Sequence, residues 1–195
     1  CDWSSTCAFP IVRLVSPRPV DRIVRAGEDF FELTLQDGAK VLAKAVVLAT
    51  GAVYRALDIP EYGRFVGHGI HHAATFMEAQ LCGGEDIVIV GGGNSAGHAA
   101  LYLRPPRTPV PLLVRQKNLS STMSEYLVER LQTSRKVRIY FDTELTALTG
   151  HESLENVAWR SADGCSWTKP IRNLFVMIGA VPNTEWLKGC VELDS

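Results

Sequence analysis

Asp86-Ile87-Val88-Ile89-Val90-Gly91-Gly92-Gly93-Asn94-Ser95-Ala96 decides how this 195-residue chain folds. Its apolar run is β-branched throughout and does not alternate with polar residues. A strand covered on both faces has this composition. Three glycines stop the run, and residues 94–103 then read as a helix with small residues on one side. Strand, glycine bend and helix, in that order, form the setting in which G-x-G-x-x-G/A binds a dinucleotide. Gly91 permits the tight turn. Gly93 lets the backbone approach a pyrophosphate because it has no Cβ, and Ala96 lets the helix pack close to the sheet. The helix start presents unpaired N–H groups and a positive dipole end to phosphates. Gly92, Asn94 and Ser95 complete the candidate cradle. The competing reading is a glycine turn that serves packing alone.

Working outward toward the C-terminus, Pro105-Pro106 closes the helix and residues 110–114 form the next short apolar strand. Residues 119–131 are helical by period, since Met123, Leu127 and Leu131 fall four apart and Ser120 or Ser121 can cap the start. Residues 137–141 are a third strand, and 145–159 a pair of short strands with turn residues at 150–153. Leu174-Phe175-Val176-Met177-Ile178 is a further buried strand that stops at Gly179. Alternating strands and helices imply a parallel α/β unit with right-handed crossovers. The tip of the second strand reads Val114-Arg115-Gln116-Lys117. NAD sites place a carboxylate there, whereas Arg115 and Lys117 suit the 2′-phosphate of NADP. NADPH is therefore expected over NADH, with a solvated surface Arg–Lys pair as the alternative.

Toward the N-terminus, residues 20–51 read as antiparallel β structure leading into a buried strand. Phe30-Phe31-Glu32-Leu33-Thr34-Leu35 has strand composition, and Asp37-Gly38 is a hairpin signal. Ala45-Val46-Val47-Leu48-Ala49 is unbroken apolar and is expected to be covered on both faces. Residues 59–63 punctuate the chain as a boundary, and 76–81 suit a short helix. The β-rich start and the end of the chain look like two arms of a second domain interrupted by the α/β insert.

Composition agrees with a globular protein: 46% of residues are hydrophobic and 21% charged. Lys+Arg 20 against Asp+Glu 21 gives a net charge of −1, so no global basic field points to nucleic acid or an anionic membrane. The longest apolar stretch, residues 45–54, is far shorter than the roughly 20 residues of a membrane helix. The five cysteines (Cys1, Cys7, Cys82, Cys165 and Cys190) include no C-x-x-C pair and read as reduced thiols of a cytoplasmic protein. The histidines do not fall at zinc-ligand spacing from any cysteine pair. A chain that begins with Cys1 is expected to be an excised piece of a longer protein, or else one with a lipid-modified terminal cysteine.

The ordered series Ala49-Thr50-Gly51-Ala52, residues 67–75, Gly91-Gly92-Gly93-Asn94-Ser95-Ala96 and residues 175–184 resembles the low-molecular-weight thioredoxin reductases. It is closest to their relatives without a redox dithiol, some of which are fused to regulatory modules. The resemblance implies an α/β fold: a Rossmann-like NAD(P)-binding domain, parallel sheet plus β-meander, inserted in remnants of an FAD-binding domain. It implies residues 1–55 as an N-terminal FAD-domain remnant, 56–177 as the NADPH domain and 178–195 as the return segment. Thr50 and Gly51 map to the flavin domain near the crossover, and Ile178 and Gly179 to the return strand. Arg115 maps to the first of the family's 2′-phosphate arginines, while the others are Gln116 and Ser120 here.

The family's Cys-Ala-Thr-Cys dithiol aligns with Ala73-Ala74-Thr75-Phe76, which cannot shuttle electrons as thiolates. Cys82 reads as a core cysteine. His71-His72 sits just before this stretch; packing or solvation is the first reading, and polarising a substrate near the flavin the second. The family's N-terminal flavin phosphate loop and C-terminal Gly-Asp segment are both absent, so the piece is expected to hold FAD weakly or not at all. The implied activity of the parent is hydride transfer from NADPH to FAD. An acceptor such as a quinone, a ferredoxin-like protein, oxygen or an external disulfide would then take electrons from the flavin. No side chain is required as acid or base, and a homodimer is the family's usual assembly. The alternative is a non-catalytic NADP(H)-sensing or interaction module of a larger regulatory protein.

Overall fold

The computed structural model describes residues 14–103 and 108–194. Contacts divide the chain into two units, residues 1–52 with 182–195 and residues 53–181. Cys1, Cys7 and the Pro105-Pro106 helix stop lie outside the described residues.

In the first unit, β1 (Val20–Ala26), β2 (Phe30–Leu35) and β3 (Lys40–Ala43) form an antiparallel meander. Its second turn is the Asp37-Gly38 hairpin. Gly38 takes φ 79°, and Asp37 Oδ1 accepts from the Ala39 N–H at 3.0 Å. Ile23 and Leu35 are buried in this unit, as is Leu187 from a 3-10 turn at Glu185–Leu187 that packs on β1.

One expectation fails here. Residues 45–49 form no strand, and Val47 is 92% exposed. An apolar run becomes a covered strand only where neighbouring strands take up its backbone groups. Among the described residues none pairs with it.

In the second unit, β4 (Ala52–Tyr54) leads to α1 (Tyr62–Phe65), β5 (Ile70–His71) and α2 (Phe76–Leu81). Then come β6 (Ile87–Val90), α3 (Asn94–Tyr102), β7 (Val110–Leu113), α4 (Glu125–Thr133) and β8 (Val137–Tyr140). The meander β9 (Thr143–Thr149), β10 (Asn156–Ser161) and β11 (Ser166–Lys169) follows. The chain returns through β12 (Asn173–Val176) and β13 (Ala180–Pro182), and β13 pairs with β4.

The parallel sheet has the order β5-β12-β6-β7-β8. Its strands alternate between two apolar layers. Ile87, Ile89, Leu112 and Phe175 pack with α3 and α4, while Val88, Leu113, Leu174 and Val176 pack with the β-meander. A period of two sends successive side chains to opposite faces, so a sheet with both faces covered needs unbroken apolar strands. The result is helices, parallel sheet and antiparallel meander in three layers.

The helix expected over 119–131 begins only at Glu125. Residues 119–124 instead form a turn in which the Thr122 and Met123 N–H groups donate to the Leu119 carbonyl. Leu119 and Met123 are still buried, so the four-residue spacing reported burial correctly and helix only in part.

Candidate functional site

The glycine bend joins β6 to α3 at the C-terminal edge of the parallel sheet. Gly91 holds φ +146°, and a Cβ there would lie 2.3 Å from the Met177 carbonyl oxygen. Its role is close approach to the neighbouring strand end: the Gly91 N–H donates to Leu113 O and the Met177 N–H to Val90 O. A Cβ on Gly92 would meet Gln116 Oε1 at 2.8 Å and Val114 Cγ1 at 3.3 Å. Gly93 differs. It caps α3 with φ −97° and ψ 179°, and a Cβ there would have only the Thr122 carbonyl oxygen near it, at 3.7 Å. The space over Gly93 is thus free of protein, as a ligand cradle requires.

The first intrahelical bond runs from the Gly97 N–H to Gly93 O at 3.1 Å. The N–H groups of Asn94, Ser95 and Ala96 precede it and have no intrahelical acceptor. Asn94 and Ser95 are exposed, and Ala96 is fully buried against the bend. Gly97, which sequence reasoning passed over, lets α3 approach the turn before α4: a Cβ there would lie 3.0 Å from the Met123 side chain. A glycine inside a helical pattern was the available signal.

The segment after β7 folds back over the bend. The Thr122 hydroxyl donates to Gly92 O at 2.8 Å. The Ser124 N–H and hydroxyl both donate to Asn94 Oδ1, at 2.8 and 3.0 Å. Arg115 stands exposed at the tip of β7, and among the described residues no carboxylate lies within ion-pair distance of it. It lines a polar hollow of about 610 Å³ together with Asp142, Glu144, Thr146 and Arg160. Lys117, exposed on the same turn, is outside that lining. The two carboxylates come from the β8–β9 corner, distant in sequence from the strand tip, and sequence reasoning missed them.

On the other side of the bend, a cavity of about 530 Å³ is lined by Tyr54, His72, Ser95, His98, Tyr102 and Met177, among others. Gly179, at φ +95°, also borders it, and its carbonyl accepts from the Arg55 N–H at 3.0 Å. Ile178, half-buried, packs against the meander-side core. His71 and His72 leave β5 on opposite sides. His71 stacks on Phe175 and lies 3.1 Å from Asn173 Oδ1. His72 stacks on Tyr54 at 5.1 Å, with its Nε2 3.5 Å from the Tyr62 hydroxyl. Burial pushes that phenol up to about 12.

The stretch Ala73-Ala74-Thr75-Phe76 leads into α2. Thr75 caps the helix by accepting from the Met77 N–H, and Glu78 accepts from the Thr75 N–H. Cys82 is buried, and burial first, then the Glu85 and Glu78 charges, push its thiol up to about 11. It remains protonated at neutral pH and is a poor nucleophile.

Thr50 and Gly51 lie in the first unit. The Thr50 hydroxyl donates to Asn183 O at 2.9 Å, the Asn183 amide returns a bond to Thr50 O, and its backbone N–H donates to Gly51 O. Among the described residues no group of three His, Cys, Asp or Glu is placed to hold a metal ion. Among the same residues, no helix is long and apolar enough to cross a membrane.

Residues 11–195 match the family described as pyridine nucleotide-disulphide oxidoreductase. The chain is 32% identical over 166 residues to an NADH dehydrogenase of Bacillus subtilis, covering 85% of this chain and 32% of that protein. It is 29% identical over 168 residues to an alkyl hydroperoxide reductase component of Staphylococcus aureus, covering 86% and 32%. In fold it is similar to thioredoxin reductase from Giardia duodenalis, with a TM-score of 0.75, 25% identity, and coverage of 91% of this chain and 57% of that one. The corresponding enzyme from Streptococcus pyogenes gives 0.69 at 27% identity, covering 91% and 57%. The chain spans about a third of the length of the curated relatives it matches.

Proposed function

Because the chain belongs to the pyridine nucleotide-disulphide oxidoreductase family, we propose that it forms the NADPH-binding part of a flavin-dependent oxidoreductase. The second unit is the coenzyme domain, and the first is part of the flavin domain. The observation that carries this reading is the open space over Gly93, beside helix N–H groups that have no intrahelical acceptor. Asn94 and Ser95 would donate to the coenzyme's diphosphate, with the buried Ala96 letting the helix start sit close to the sheet; Arg115 would donate to a 2′-phosphate, with Lys117 adding charge from the same turn. When bound, the reduced nicotinamide is the hydride donor and FAD the acceptor. The chain's own residues bind and orient, and none is needed as an acid or base.

The residues fit the flavin less well. The Thr50 hydroxyl is already engaged with Asn183, and no second glycine bend between strand and helix occurs among the described residues. Thr50 and Gly51 would offer a flavin little beyond backbone groups. Gly179 borders the second unit's cavity and Ile178 packs in that unit's meander-side core, so both are assigned to the coenzyme side. Electrons would leave the flavin directly for an acceptor, since Ala73 to Phe76 carry no thiol and Cys82 is buried and protonated.

A second reading exchanges NADPH for NADH. It is supported by Asp142 and Glu144 in the hollow beside Arg115, where a carboxylate could accept from a ribose 2′-hydroxyl, and by the relative named NADH dehydrogenase. Calorimetric titration of the wild-type chain and Arg115→Ala with each coenzyme separates the two. Loss of a charge-assisted bond should weaken NADPH by about 1.5–3 kcal/mol and leave NADH nearly unchanged. Equal changes for both would overturn the NADPH assignment.

A further inference from the structure

Ser124 occupies the N-cap of α4, yet its side chain makes no capping bond to that helix. A serine at this position ordinarily accepts from the first-turn N–H groups. Here the hydroxyl donates instead to Asn94 Oδ1, as does the Ser124 backbone N–H. Two donors on Oδ1 define which way the Asn94 amide is turned. Its Nδ2, with two N–H groups, is left without a partner among the described residues at the exposed start of α3.

Two residues earlier, the Thr122 hydroxyl donates to Gly92 O inside the bend. Below this loop the strand tip is fixed as well. Val114 O accepts from the Thr143 N–H and Gln116 O from the Asp142 N–H, while Gln116 Oε1 fills the space beside Gly92. Leu119 and Met123 anchor the intervening turn in the core. The turn carrying Arg115 and Lys117 is therefore held to the β8–β9 corner at its start and tied to the glycine bend at its end.

We propose that Thr122 and Ser124 are positioning residues for the coenzyme: their side-chain bonds hold the Arg115 turn and the glycine bend at one fixed separation. This deepens the NADPH reading and rests on it. A ligand that uses both the bend and Arg115 needs that separation; one that uses the bend alone does not.

The test is a double-mutant cycle by calorimetry, with NADPH and NADH as probes. It compares the wild-type chain, T122V/S124A, R115A and the combined variant. T122V/S124A should weaken NADPH about tenfold and NADH less than twofold. In the R115A background the same pair of changes should alter NADPH less than twofold. T122S/S124T, which restores both hydroxyls, should recover NADPH affinity, a rescue that general loosening of the fold would not show. Equal losses for both coenzymes, additivity with R115A, or no rescue would overturn the proposal while leaving the site itself standing. A wild-type chain that takes up neither coenzyme would instead sink the reading beneath it, and this inference with it.

Discussion

The three glycines of the bend look alike in the sequence and act differently in the structure. Gly91 is held by the fold: it combines a positive φ with a Cβ position 2.3 Å from a carbonyl oxygen. Gly91→Ala should cost at least about 2 kcal/mol of stability in a urea melt. Gly93 has ordinary extended backbone and open space above it. Gly93→Val should fold normally by circular dichroism yet abolish binding of either coenzyme, because the new side chain would occupy the proposed diphosphate position. Cys82 gives a pH prediction. Its thiol titrates near 11 in the folded chain and near 9.0 ordinarily, so between these values the unfolded chain loses a proton that the native one keeps. Stability should fall as pH rises through this window, by up to about 2 kcal/mol. Cys82→Ala should flatten that slope, and thermal melts from pH 8 to 11 would register it. The motif's position and its cationic neighbour Arg115 were legible because both lie next to a strand end in sequence. Asp142, Glu144 and the Thr122 and Ser124 bonds were not, because each is defined by a contact across 25 residues or more.

Among the elements, α2 shows how local chemistry specifies structure without tertiary help. Thr75 and Glu78 form a reciprocal cap on a six-residue helix, and the apolar Phe76, Met77 and Leu81 remain largely exposed. With so little packing to hold the helix, the cap matters more than usual. Thr75→Ala should lower stability by about 1 kcal/mol, measured by chemical denaturation. The helix was readable over its full length for the same reason. α4 is the opposite case. Its apolar period ran back to Leu119, but in residues 119–124 Thr122 and Ser124 turn their hydroxyls toward the bend, and only Leu119 and Met123 are buried. Periodicity reports which side chains are buried, and a turn can bury residues at i and i+4 as well as a helix can.

Across the whole molecule, the apolar strands divide by whether a covering layer exists. Val88 is fully buried against the meander, while Val47, in a run that is likewise unbroken apolar, is 92% exposed. Val88→Ser should therefore lower stability by about 2 kcal/mol or more, and Val47→Ser should change it by less than about 0.5 kcal/mol. Thermal melts of the two variants side by side would check this. By itself the sequence determined the alternation of strands and helices, the glycine bend with its basic neighbour, the lack of a Cys-x-x-Cys pair and the hairpin at Asp37-Gly38. All of these are set by residues adjacent along the chain, through backbone sterics and side-chain chemistry. Tertiary structure alone decided which apolar runs are covered, which glycine is free for a ligand, and which carboxylates and hydroxyls surround the strand tip. Those depend on what packs against a residue from elsewhere in the chain, and burial and hydrogen bonding are properties of the pair.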